Sequence, residues 1–110
     1  MQTNLYEQAE SLAARVWALT ETIEDLELRS PLRRRALYST LSTMEALITD
    51  DENTRFFKMQ DASFQALELC ALLTLARRVG EVDCEDEPEA GYRELYESLN
   101  AAMAAADELN

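Results

Sequence analysis

Three pairs of glutamates stand at the i, i+3 spacing that puts two carboxylates on one face of a helix: Glu7/Glu10, Glu21/Glu24 and Glu94/Glu97. Carboxylates that converge from several helices can hold magnesium for hydrolysis. The phase of these six argues for a different role. Counting heptads from Leu5 at d, the helix 1 acids fall at f and b, and Glu94 and Glu97 fall at c and f. All six therefore belong on outer, solvated faces. Other chemistries lack their residues. There is no histidine, which removes Ser–His and Cys–His catalysis and the Glu-x-x-His di-iron sites found in many helical bundles. Cys/His zinc sites and glycine-rich phosphate loops are absent, and DDENTRFF lacks the alternating acids and glycine of a calcium loop. Cys70 sits inside LCALL as a small core residue. Cys84 lies in EVDCEDEPE, where neighbouring carboxylates disfavour the thiolate. The expectation is a protein that is not an enzyme and holds no cofactor or metal.

A second feature is SPLRRRALYSTL, residues 30 to 41. If Ser30 caps a helix with Pro31 in its first position, Arg33 and Arg34 stand in or beside the first turn. The exposed N–H groups make that end positive, so each arginine there costs on the order of 0.3–1 kcal/mol. The preceding helix would close on EDLE, with Glu24, Asp25 and Glu27 at its negative end. Two readings remain open. The misplaced charges cancel through ion pairs at a shared corner, or Arg33, Arg34 and Arg35 contact an anion or an acidic partner.

The elements that must carry these residues are helices. The chain has 110 residues, 47% of them apolar, with only two glycines and two prolines, so one all-α domain over 1–110 is expected. Helix 1 opens at Asn4, with Glu7 completing a capping box. Its seam of Leu5, Ala9, Leu12, Val16, Leu19, Ile23 and Leu26 carries it to about Arg29. Helix 2 follows with Leu37, Leu41, Met44 and Ile48 as its inner seam. TDDENT is a polar break. Helix 3 spans about 54 to 79 with Gly80 closing it, and carries Phe56, Phe57, Met59, Phe64, Leu67, Leu69, Leu72, Leu73 and Leu75. Residues 69 to 76 are apolar nearly all round, which predicts the most enclosed helix. The segment 81–89 carries six acids in nine residues and reads as a solvated connection. Helix 4 begins near Pro88 with the seam Tyr92, Leu95, Leu99, Ala102, Ala106 and Leu109. Short connections predict an up-down-up-down four-helix bundle.

One seam per helix is enough for a solitary bundle, and this chain has more. Helix 1 has a second edge in Tyr6, Ala13, Ala14, Trp17 and Ala18, and helix 4 adds Tyr96, Met103 and the alanines at 101, 104 and 105. Such patches mark partner surfaces, so Tyr6, Trp17, Tyr96 and Met103 are candidate contacts between subunits of a homo-oligomer. The alternative is that Trp17 covers the edge of the core.

LAARVWALT (12–20), RRALYS (34–39) and ELCALLTLARRVG (68–80) resemble the bacterial four-helix-bundle family that includes proteins encoded in ribosomal-RNA intervening sequences and the accessory proteins of diversity-generating retroelements. The resemblance rests on Leu12-Ala13, Val16-Trp17, Leu19-Thr20, Arg34-Arg35-Ala36 with Ser39, and Glu68-Leu69 through Val79-Gly80. It implies a non-enzymatic bundle assembling as a ring, typically a homopentamer. The chain departs from it at TMEAL, where members carry Asn-Ile-Ala-Glu-Gly.

With 22 acids against 10 bases, the net charge is −12. That charge repels nucleic acid and anionic lipid on average and favours basic protein partners. No stretch is long enough to span a membrane, and the N-terminus lacks a basic region followed by an apolar run, so the cytoplasm is the expected compartment. Three functions are compatible with these features. The first is a self-associating adaptor or accessory protein acting through protein–protein contacts. The second is an acidic inhibitor, chaperone or nucleic-acid mimic. The third is an RNA-binding accessory protein using the Arg33–Arg35 corner, which the net charge disfavours.

Overall fold

A computed structural model describes the backbone of residues 2–109 and the side chains of residues 5–105. Four helices follow one another: α1 (Gln2–Thr20), α2 (Leu26–Ile48), α3 (Glu52–Arg78) and α4 (Pro88–Leu109). No strand occurs among the described residues. Each helix packs on two neighbours, α1 and α3 both meeting α2 and α4, and the α1–α4 seam is the slimmest of the four. The molecule is a rod of 47 × 18 × 18 Å.

The first correction concerns the α1–α2 junction. Helix 1 does not reach Arg29; it stops at Thr20, and Asp25 caps α2, its side chain accepting from the Glu27 N–H at 2.9 Å. The heptad count ran through this break because Ile23, although in the connection, is still buried. Leu26, the next seam residue, is 59% exposed. Pro31 therefore lies inside α2, where it cannot donate to the Glu27 carbonyl. At the other end of α1 the helix is already formed at Gln2, ahead of the expected Asn4 cap. The Asn4 side chain, like those of Ala106 and Leu109 in the helix 4 seam, lies outside the described residues.

Helix α3 starts where Asp51 accepts from the Thr54 N–H at 2.9 Å and from its hydroxyl at 2.6 Å. It ends at Val79 with Gly80 at φ +84°. The N–H of Glu81 returns to the Ala76 carbonyl at 3.0 Å and that of Gly80 to Arg77 at 3.2 Å, the paired bonds of a left-handed helix stop. Glycine takes that conformation without strain.

The core separates the helices into two kinds. From α1 it takes Leu5, Ala9, Leu12, Val16 and Leu19, and from α4 Tyr92, Leu95 and Leu99, as their seams predict. From α2 it takes Leu32, Ala36, Ser39, Thr43 and Ala46, and from α3 Met59, Ala62, Ser63, Ala66, Leu69, Leu73 and Ala76. The expected α2 seam is turned away: Leu37, Leu41 and Ile48 are exposed, Ile48 to 70%. Residues 69–76 of α3 are not enclosed either, since Leu75 is 57% exposed. The small side chains among these let α2 and α3 approach the centre closely, and the Thr43 and Ser63 hydroxyls are absorbed locally. Thr43 donates to the Ser39 carbonyl at 2.8 Å and Ser63 to Gln60 at 2.8 Å.

Candidate functional site

Because α2 begins at Leu26, the three arginines lie two turns inside it, and a step of about 100° per residue sends them in three directions. Arg33 reaches α1. Its Nε donates to Thr20 Oγ1 at 2.7 Å and its Nη2 to the Trp17 carbonyl at 3.3 Å. The guanidinium also lies 5.1 Å from the centre of the Trp17 ring and 3.6 Å from Glu21. Arg35 points to α3 and pairs with Glu68. Arg34 is exposed and has no ion-pair partner among the described residues. The expected misplacement of charge does not exist. Arg33 meets a late carbonyl of α1, where a cation is favourable, and Asp25 and Glu27 stand at the start of α2, where acids are favourable. The arginines do not form one basic corner.

The aromatic candidates are also separated. Trp17 is 41% exposed, with Arg33 stacked on it. Tyr6 is half-buried, and its hydroxyl donates to Glu10 at 2.9 Å. The flank of α1 that carries them is the one facing α2, because Trp17 touches Arg33 and Ala9 accepts from Thr40. Tyr96 and Met103 follow Glu89 at seven-residue steps and share its face of α4, the face on which Glu89 meets Arg77 of α3. Both are half-buried, Tyr96 packing against the core.

The carboxylates of Glu7, Glu10, Glu21, Glu24, Glu94 and Glu97 are exposed. Among the described residues no three acidic or thiol groups stand close enough to share a metal ion. The 81–89 segment is more than a solvated connection, because Val82 is buried and two arginines pin it. Arg77 bonds Glu89 at 2.6 and 3.1 Å, the Cys84 carbonyl at 2.6 Å and the Asp86 carbonyl at 2.8 Å. Arg15 pairs with Asp86 at 2.6 Å. Burial pushes the Glu89 carboxyl up, but its bond to Arg77 with the charge beside it brings it below the usual carboxylate value. The Arg15 hydrogen bond lowers Asp86 likewise.

What the seam-by-seam reading missed is the outward surface of α2 and α3. On α2 it comprises Leu37, Tyr38, Leu41 and Ile48, and on α3 Phe57, Phe64, Leu67 and Leu75. Leu37 lies one turn beyond Arg33 and so continues the Trp17 edge. Between the two stripes, Arg35–Glu68, Lys58–Glu45 at 2.6 Å and Ser42–Asp61 at 3.2 Å link α2 to α3. Toward α4, Leu67, Ala71 and Leu75 line an open depression of about 400 Å³ flanked by Arg78 and Arg93. A readable signal existed: Ala36, Ser39, Thr43 and Ala46 recur at helical spacing, and so do Ala62, Ala66, Leu69, Leu73 and Ala76. In α2 a stripe of small residues on the opposite side from a stripe of large ones leaves the direction of the core undecided, and in α3 leucines stand on both sides, Leu69 and Leu73 inside and Leu75 outside.

Among the described residues no helix is long and apolar enough to cross a membrane. Neither a protein-family model nor a curated protein matches this chain.

Proposed function

We propose that the chain is a non-enzymatic, self-associating helical-bundle adaptor that works through protein–protein contacts. The observation that carries this reading is the inversion of α2. A helix whose inner face beyond Leu32 is alanine, serine and threonine presents Leu37 at 47%, Leu41 at 38% and Ile48 at 70% exposure to solvent. With Trp17 and Tyr6 alongside, this makes a continuous apolar edge of the sort that a second subunit covers. An up-down-up-down course is supported by the order of the contacts. Thr40 meets Ala9 while Arg33 meets Thr20, and Glu45 meets Lys58 while Arg35 meets Glu68. The family resemblance adds a homopentameric ring as the assembly to look for.

Protein contact is favoured over RNA at this place because Arg33 and Arg35 are engaged within the chain, leaving only Arg34 of the three without an ion-pair partner among the described residues. The acidic inhibitor or chaperone reading retains one supporting feature. Glu81, Asp83, Glu85 and Glu87 are exposed and unpaired among the described residues. Its affinity for a basic partner would collapse with rising salt.

Sedimentation velocity with absorbance at 260 and 280 nm tests the first reading. A discrete oligomer free of nucleic acid, dispersed by Leu37→Glu with Leu41→Glu, is the expected result. A monomer at all concentrations would sink it, and co-sedimenting nucleic acid would move the RNA reading to the front.

A further inference from the structure

We propose that the depression between α3 and α4 is a docking groove for an acidic amphipathic helix of another protein. It stands apart from the Trp17–Leu41 edge and goes beyond self-association. Its floor is Leu67, Ala71 and Leu75, spaced four residues apart along α3 and exposed. A shallow channel between two helices suits a third helix, about 10–12 Å across, laid into it with anchors at i, i+3 or i+4, and i+7. A small amphiphile would leave most of such an open surface uncovered, whereas a helix covers its length.

Charge selects the kind of helix. Arg78, in the last turn of α3, and Arg93, on α4, flank the floor. Both are exposed, and neither has a carboxylate within ion-pair distance among the described residues. The contrast with the other cations is informative. Arg15, Arg33, Arg35, Lys58 and Arg77 each hold a carboxylate, whereas Arg78 and Arg93, like Arg29, Arg34 and Arg55, hold none among the described residues, and of these only Arg78 and Arg93 border the depression. Two guanidinium groups without ion-pair partners beside apolar surface offer carboxylates a charge match that the acidic faces of this chain, with its net charge of −12, do not. A partner carrying carboxylates beside its apolar anchors is repelled by the rest of the surface and admitted here, so the groove selects both its class and its place of binding. A basic helix would instead spread over the acidic faces.

The test is fluorescence anisotropy on the full chain with two labelled 18-residue helical peptides. Both carry leucines at i, i+4, i+7 and i+11, one with glutamates along the flanks and the other with lysines. Saturable binding of the glutamate peptide is expected, weakened by added salt and reduced about tenfold or more by Arg78→Glu with Arg93→Glu, a loss of roughly 1.4 kcal/mol. Leu75→Ala, an exposed site that leaves the fold intact, should weaken it as well, while the charge reversal should not weaken the lysine peptide. The proposal is overturned if the glutamate peptide fails to saturate or binds both variants as well as the unaltered chain. It is equally overturned if neither peptide binds and the same substitutions shift the sedimentation coefficient, because the groove would then be a contact between copies of this chain.

Discussion

Helices α1 and α4 turn their apolar seams inward; α2 and α3 bury Leu32, Met59, Leu69 and Leu73 among small residues and leave many of their large apolar side chains outside. Leu12, Val16, Tyr92, Leu95 and Leu99 fill the centre, opposed by Ala36, Ser39, Thr43, Ala62 and Ala66. The first pair of helices is therefore explained by folding the single chain. The second pair has apolar surface that the single chain does not bury, and this asymmetry is what points to function. Apolar area left in water forgoes about 25 cal/mol per Å². Covering the outer stripes of α2 and α3 would add stability that the single chain does not gain.

The sharpest way to break the contrast is to truncate matched leucines on the two kinds of helix. Leu99→Ala on α4 should lower the unfolding free energy by about 2–5 kcal/mol. Leu41→Ala on α2 should change it by less than about 0.5 kcal/mol in dilute monomer. Urea denaturation at low concentration reads both, and equal costs would erase the distinction. A smaller effect tests how tightly the well-filled side is packed. A methyl group added at Gly91 would collide with the Leu12 side chain across the α1–α4 seam. Gly91→Ala should cost about 1–3 kcal/mol for the forced repacking, offset by up to about 1 kcal/mol of helix propensity. A net gain in thermal stability would show that the seam yields.

Next comes the junction between the two kinds of helix. Arg33→Gln removes the bonds to Thr20 and the Trp17 carbonyl, and about 1 kcal/mol of stability should go with them. Trp17 fluorescence should change in the folded state, since the stacked cation is lost. The acid limb should be gentler. Glu89 has a folded pKa below its ordinary value of 4.5, so its contribution is complete above that pH and fades as pH falls below it. Glu89→Gln should flatten that part of the stability–pH curve; an unchanged slope would mean that Arg77 holds the loop without it. The smallest expected change is at the polar interior of α2. The buried Ser39 hydroxyl has no hydrogen-bond partner among the described residues, so Ser39→Ala should be neutral or slightly stabilising by calorimetry. A clear loss would reveal a partner such as an ordered water.

Much of α1 and α4 was legible in the sequence because one rule, large apolar residues at a/d spacing, decides both that a helix forms and which way it faces. In α3 residues 69–76 read as enclosed all round, although Leu75 faces out; in α2 the same rule announced a helix and misdirected it. Leu37, Leu41 and Ile48 obey the spacing, but Ala36, Ser39, Thr43 and Ala46 obey it too. Which stripe turns inward depends on how much volume Leu12, Tyr92 and Leu99 leave at the centre, a three-dimensional quantity. The Gly80 stop was readable as local chemistry, and TDDENT marked the break in which Asp51 caps α3. Asp25 was not read as a cap, because Ile23 and Leu26 prolonged the heptad across the break. The arginines could not be placed until that break was known, since moving the helix start by five residues turns each of them to a different neighbour.

The Arg33 contact has a consequence in time as well as space. Helix α1 has no basic residue in its own last turn, and the side chain that bonds its Trp17 carbonyl comes from 16 residues further along the chain. That carbonyl already accepts from the Thr20 hydroxyl at 3.0 Å and the Glu21 N–H at 3.3 Å, so what Arg33 adds is the positive charge at this helix end, and only α2 can bring it. The first two helices should thus mature as one cooperative hairpin.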